Sequence, residues 1–282
     1  MSERFAIAAR EELWSAGRLL ESRLLHGEAI KTGDRIDATD AADEVLLALC
    51  DRQLEELRSA VATLTSPVRL VSRAASDETT AAIIATRNGI SVVTTPEKLH
   101  DDLALIPRHP GTAHADWREL PLVWRHGSAA VLLHEAVGHA AEHDAAPVAW
   151  PAWLSVDVPL AMRRESFRDV PLRRMTTLVG GQSGAPFMLP PTYIEVVLVA
   201  GGSYEPLDDT VSLTIVVANR VDGGTTEALA PFELRATRKD IARALVGATG
   251  EPLRYPGVVC SSEGQELIVG SYAPVMVTVF GE

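Results

Sequence analysis

AAVLLHEAVGHAAEHD, Ala129–Asp144, is the stretch whose reading decides the rest of the chain. Taken as one helix, its first three turns are apolar on nearly every face. A helix that is apolar all round belongs inside a protein. Yet this one carries His134, Glu135 and His139, with His143 near its polar end. Burying such groups without partners is costly, and a metal ion is the usual remedy. The stretch therefore points to a metal-centred hydrolytic site built on a core helix.

The spacing sharpens that expectation. Familiar zinc-protease helices place two histidines at i and i+4, on one face. His134 and His139 are separated by one residue more. On a regular α-helix five residues turn the side chain by about 140°, so the two rings would diverge. A π-type turn with i→i+5 hydrogen bonds brings them back together. Gly138, a poor helix former just before the second histidine, eases such a distortion. The spacing thus predicts an irregular turn at Ala136–His139. His139 and His143 form a rival pair at i and i+4, but His143 lies between Glu142 and Asp144, at the solvated end.

Catalytic zinc usually takes three protein ligands and leaves a position for water. The chain has two cysteines, Cys50 and Cys260. Cys50 falls on the apolar side of a helical stretch and reads as a buried structural thiol. Cys260 lies in YPGVVCSSEGQ, between a strand-like run and a turn, and a thiolate with two imidazoles is a known catalytic set.

The stretch LLHEAVGH, followed by Glu142 and Asp144, resembles the core motif of the TldD/PmbA metallopeptidases, the modulator of DNA gyrase family. Two further segments resemble that family in order: Arg163–Thr177, RRESFRDVPLRRMTT, and Gly257–Pro274, GVVCSSEGQELIVGSYAP. The resemblance runs from Leu132 to Pro274. It implies zinc held by His134, His139 and Cys260, with Glu135 as the catalytic base. It also implies a paired architecture, either a homodimer or a heterodimer with a related subunit. The chain departs from the family in a reduced N-terminal part and a shortened connection between Asp144 and Arg163.

Composition sets the frame. The chain has 282 residues, 46% of them hydrophobic and 23% charged, which suits a globular protein with ample core. A net charge of −12 argues against nucleic acid as a direct partner, since that binding rests on phosphate neutralisation by Lys and Arg. Two cysteines suggest no disulfide framework. Ser2–Leu25 is broken by Arg, Glu and Ser and lacks the form of a signal peptide. No apolar run is long enough to span a membrane. These features place the protein in the cytoplasm.

Along the chain, residues 2–26 read as a helix, because Phe5, Ala9, Leu13, Ala16, Leu20 and Leu24 recur at helical spacing. Gly27–Asp37 reads as a loop. A second helix is expected from Thr39 to Thr63, capped by Thr39 or Asp40. Val68–Ala74 and Ile90–Thr95 have strand character, with Asn88-Gly89 as a turn. Thr79–Thr86 fits helix or strand equally. Residues 96–118 read as a linker, whose His100, His109 and His114 fit no ligand spacing. Leu120–Val123 reads as a strand leading into the metal helix.

Beyond that helix, Trp150 and Trp153 are read as packing over it. Arg163, Arg164, Arg168, Arg173 and Arg174 form a solvated basic face, and Gly180–Pro191 is a candidate cleft wall. Tyr193–Ala200, Val211–Asn219 and Phe232–Thr237 read as strands, with turns at Gly201-Gly202 and Asp222-Gly223-Gly224. Thr237–Val246 reads as a short helix capped by Thr237. Val258–Cys260, Leu267–Val269 and Val275–Phe280 close the chain as strands.

The expected architecture is α+β: a helical N-terminal region, 1–117, then a β-rich C-terminal domain, 118–282, packed around a buried metal-binding helix. The expected function is a zinc-dependent peptidase acting on extended or unfolded peptides, with sequence-tolerant main-chain pairing at an exposed strand edge. The apolar stripes of the N-terminal helices add to the expectation of a dimer. The alternatives are a metal-binding subunit of a two-subunit protease and a structural zinc module.

Overall fold

The structure is a computed structural model. It describes residues 3–24, 28–32, 35–39, 44–75, 78–125, 127–140, 145–154, 156–157, 179–180, 188–262 and 265–281. The chain divides into two compact units. One comprises Met1–Ala104 and, from later in the chain, Val259–Ile268; the other comprises Leu105–Ala161, Met175–Val258 and Val269–Glu282. The elements are helices and two largely antiparallel sheets, in keeping with the α+β class.

The first unit corrects the reading of the N-terminus. Within the helix expected over 2–26, the described residues form two strands, β1 (Glu3–Ser15) and β2 (Arg18–Leu24). Ala16 and Gly17 join them with φ of 49° and 71°, and Ser15 pairs with Arg18 across the turn. Two positive φ values in a two-residue loop match the twist of a hairpin. What overrides the helical spacing is pairing: β1 lies between distant partners, including β5 (Val68–Ala75) over its C-terminal half. Gly17 also approaches Ala62, whose carbonyl oxygen would sit 2.9 Å from any Cβ placed there. The expected apolar helical stripe therefore does not exist, and with it goes that argument for a dimer.

Gly27–Asp37, expected as a loop, carries β3 (Glu28–Thr32) and β4 (Arg35–Thr39), paired with each other. Strand β6 (Glu78–Arg87) settles the ambiguous Thr79–Thr86, and β7 (Ile90–Thr94) follows the Asn88-Gly89 turn. The sheet runs β4-β3-β1-β5-β6-β7 among the described residues, with β2 alongside β1.

The second expected helix is present as α1 (Glu44–Val61), which packs on β1, β5 and β6. Its proposed cap Asp40 lies outside the described residues, and Thr39 ends β4. Cys50 is fully buried, its Sγ 3.7 Å from the Ser72 carbonyl oxygen. Residues 96–118 are not all linker, since they hold the short helix α2 (Leu99–Leu105), whose Asp102 accepts a hydrogen bond from the Thr94 hydroxyl.

The second unit is built on a sheet ordered β13-β12-β11-β8-β16-β10-β9, with β14 against β12 and β15 against β16, the stretch Val259–Ile268 of these last two strands being counted with the first unit. Strand β8 is Leu122–Trp124, β9 is Val156–Asp157 and β10 is Val179–Gly180. Long strands β11 (Thr192–Glu205) and β12 (Thr210–Asp222) form the central hairpin. Then come β13 (Thr225–Ala228), β14 (Phe232–Thr237), β15 (Leu245–Ser262) and β16 (Gln265–Thr278). Leu267–Val269 and Val275–Phe280, expected as separate strands, fall on the single strand β16, which ends at Thr278. Gly201-Gly202, expected as a turn, lies inside β11, while Asp222-Gly223-Gly224 does turn the chain, with φ of 52° and 95° at its glycines.

Among the helices, α3 spans Ser128–Leu133 and α4 spans Arg238–Ala244. Thr237 caps α4 as expected, its hydroxyl accepting the Asp240 amide at 3.1 Å. The core of this unit gathers α3, the central strands and α4, including Leu132, Leu133, Ile194, Val196, Leu213 and Ile241. Trp150 and Trp153 are half-buried against that core, as read from the sequence. No helix among the described residues is long and apolar enough to cross a membrane.

Candidate metal centre

The centre begins with how its helix is anchored. Gly127 takes a left-handed conformation, φ 86°, and α3 starts at the next residue. The Ser128 hydroxyl lies 2.6 Å from the Arg125 carbonyl oxygen and 2.9 Å from that of Val196, so it can donate to either. The Arg125 amide donates to the same Val196 oxygen at 3.0 Å. These bonds tie the helix start to β11 just where parallel pairing with β8 ends, at Val196 and Trp124. Every residue from Ser128 to Leu133 is buried, as its apolar sequence requires.

After one and a half turns the helix changes pitch. His134–His139 form a π-helical segment, covering the irregular turn expected at Ala136–His139. The wider turn undoes the divergence that i+5 spacing imposes on an α-helix. The rings of His134 and His139 consequently meet edge to face, with centroids 4.5 Å apart and planes at 65°. Glu135 joins them, its Oε2 3.3 Å from His139 Nε2. Each of the three residues is at most 4% exposed.

One nitrogen from each ring and one carboxylate oxygen lie within 4.8 Å of one another. Two imidazoles and a carboxylate converging in an apolar interior suit a divalent cation of the zinc type. The cluster could therefore hold a metal ion, with Glu135 standing where the sequence implies a base and not a ligand.

The other expected site residues divide differently. Cys260 belongs to β15, but its side chain lies outside the described residues. His143, with Glu142 and Asp144, lies outside them too, as do Arg163–Thr177 and residues 181–187 of the expected cleft wall.

One residue of the centre escaped the sequence reading. Gly202 of β11 lies against Glu135, so a Cβ built there would meet Glu135 Cγ at 2.6 Å, Leu213 Cδ2 at 2.7 Å and Glu135 Cδ at 2.9 Å. The available signal was a Gly-Gly pair continuing a β-branched run, which marks close backbone approach as readily as a turn.

A buried arginine steadies the region beyond the helix. Arg238, at the start of α4, makes a charged hydrogen bond to Asp209 and donates from Nη2 to the Ala146 carbonyl oxygen at 2.8 Å. Tyr204 completes this cluster, its hydroxyl donating to Asp209 Oδ1 at 2.9 Å.

In overall architecture the chain has the fold of the TldD/PmbA-like proteins. It is similar to TldE from Thermococcus kodakarensis, with a TM-score of 0.50 and 10% identity over 99% of this chain and 95% of that one. A protein from Thermotoga maritima assigned as a modulator of a DNA gyrase matches at 8% identity and a TM-score of 0.48, over 98% and 94% of the two chains. One from Bacteroides thetaiotaomicron with the same assignment matches at 10% identity and 0.44, over 99% and 94%. No protein-family profile and no curated protein sequence matches the chain.

Proposed function

We propose that this protein is a zinc-dependent peptidase that hydrolyses amide bonds in extended or unfolded peptides. The observation that carries this reading is the buried convergence of His134, Glu135 and His139 on a π-turn. A π-turn inside a core helix is a local distortion, and such distortions cluster at functional sites.

His134 and His139 would hold the metal, with Cys260 as the third ligand that the sequence resemblance implies. Zinc bound there supplies Lewis acidity towards a water molecule and a substrate carbonyl. Glu135 accepts the proton of the attacking water and returns it to the departing amine nitrogen. Burial of Glu135 keeps bulk water from the carboxylate and strengthens each electrostatic contact it makes. The expected partner is a second copy or a related subunit, and the resemblance is what supports it.

The 3.3 Å approach of Glu135 to His139 favours a second reading, in which Glu135 is itself a ligand. Glu135→Gln separates the two. As a base, the residue can be replaced with zinc content kept near one equivalent and cleavage of an unfolded peptide reduced by about 10²–10⁴. As a ligand, its loss takes the zinc with it. Cleavage within a few-fold of wild type would remove Glu135 from the chemistry altogether. Cys260→Ala, measured alongside for zinc affinity, tests the third ligand; unchanged affinity would reject it.

A further inference from the structure

We propose that Gly202 is a positioning residue for Glu135: the side chain it lacks leaves the space in which the Glu135 arm lies against β11. The inference rests on the general-base reading above and deepens it. Position 202 belongs to a strand, so its conformation does not demand glycine, and its φ is not in the left-handed range. What demands glycine is room. A methyl group there would lie 2.6 Å from Glu135 Cγ and 2.9 Å from its Cδ, separations that side-chain carbons do not tolerate.

Glu135 cannot step aside freely. It is 3% exposed and sits on the π-turn, with His134 and Ala136 buried on either side in sequence. Leu213, on the paired strand β12, stands 2.7 Å from the same hypothetical methyl and is fully buried, so it gives little. Register reinforces the arrangement, since Gly202 and Leu213 are directly paired across the β11–β12 hairpin. The glutamate arm is thus held between the π-turn and the Gly202–Leu213 pair. Adding one carbon at 202 rotates the carboxylate away from His139.

The test is a cycle of four proteins: wild type, Gly202→Ala, Glu135→Ala and the double variant. Thermal unfolding, zinc content, kcat and KM on an unfolded peptide are read on each. Gly202→Ala is expected to melt about 3–10 °C below wild type, the scale of overpacking in a chain of this size. In the Glu135→Ala background at least half of that loss should vanish, because the clashing atoms are gone. In a Glu135→Gln background, which keeps them, the loss should persist.

For Gly202→Ala itself, kcat should fall by about 10²-fold, with KM within a few-fold and zinc content unchanged. A purely structural role would not produce that split. Equal melting losses with Ala or Glu at 135 overturn the proposal, and so does unchanged kcat. If Gly202→Ala does not fold, recovery of folding by Glu135→Ala supports the contact, and failure in both backgrounds counts against it. Repeating the cycle with Leu213→Val removes the Cδ2 atom and isolates the glutamate contribution. A wild type without zinc or cleavage would defeat the peptidase reading, while the melting cycle would still decide the Gly202–Glu135 contact.

Discussion

Each unit buries a carboxylate, and the two are handled differently. In the first, Glu12 of β1 is 3% exposed and meets Arg58 of α1 through two bonds, Nη2 to Oε1 at 2.6 Å and Nε to Oε2 at 2.9 Å. Trp14 donates its indole N–H to the same Oε2 at 2.9 Å. The charge is answered by a fixed guanidinium that cannot give up its proton, and Glu12 in turn holds the Arg58 pKa well above its ordinary value. In the second, the equally buried Glu135 faces imidazoles, groups that hold or release a proton near neutral pH and bind metals. The first arrangement fixes a strand to a helix. The second assembles groups that could hold a metal ion.

The largest effect that distinguishes them is metal dependence. His134→Ala and His139→Ala should each lose most of the zinc, lowering affinity by more than about 10²-fold. Cys50→Ala and Arg58→Ala should keep it near one equivalent. Chelation should lower the melting temperature of wild type and leave the two histidine variants almost unmoved, because only a protein that binds metal gains by mass action. Full zinc occupancy in His139→Ala would break the comparison at its root.

Next comes the first unit's own pair. Arg58→Ala takes both guanidinium bonds from the buried Glu12 while the Trp14 indole still donates to it, and because Arg58 is itself part-exposed the loss should be about 1–3 kcal/mol. Denaturant unfolding at neutral pH measures it. The double variant Arg58→Ala/Glu12→Ala should recover part of the loss, since no stranded charge remains. A double variant as unstable as the sum of the singles would show that the pair acts as two independent residues.

Why the second carboxylate was legible in the sequence and the first was not follows from where each is specified. His134, Glu135, Gly138 and His139 lie within one turn and a half, so the i+5 spacing and the glycine together predicted the π-turn. Glu12 gives no local sign of its partner, which comes from α1, far along the chain. The same distinction explains the misread N-terminus. Six apolar residues at spacings of three and four fit a helix, but β1 owes its form to β5 and β3, and the only local hint was the Ala16-Gly17 turn. Gly202 repeats the lesson, since its role is set by Glu135 and Leu213. The helix α2 was missed because His, Pro and Asp nearby gave its surroundings the composition of a linker.

A smaller effect tests whether the elements framing the centre are independent of it. Thr237 is the cap of α4, and Thr237→Ala should cost about 1 kcal/mol. Zinc content and kcat should stay at wild-type values, because the cap satisfies a backbone amide and nothing in the centre. A drop in zinc content on this variant would mean that α4 and the π-turn are coupled.

The smallest effect concerns Tyr204, a structural polar contact inside the unit that holds the candidate metal centre. Burial raises the pKa of its hydroxyl above the ordinary value of 10.0, the Asp209 carboxylate raises it further by hydrogen bond and charge, and Arg238 partly offsets both. The neutral phenol is the form the fold prefers. Because the folded pKa lies above the unfolded one, the resulting stability is fully present below about pH 10 and is lost as pH rises through the folded pKa. Tyr204→Phe removes both the bond to Asp209 and this titration. At neutral pH the variant should be less stable by about 1 kcal/mol, the net worth of one such hydrogen bond. Above pH 10 the gap should close, because wild type loses stability there that the variant never had. Unfolding free energies at pH 7, 9, 10 and 11 for the two proteins read this directly. A constant gap across that range would remove Tyr204 from the pH dependence, and a loss of zinc in Tyr204→Phe at pH 7 would show that this cluster and the metal centre are one system.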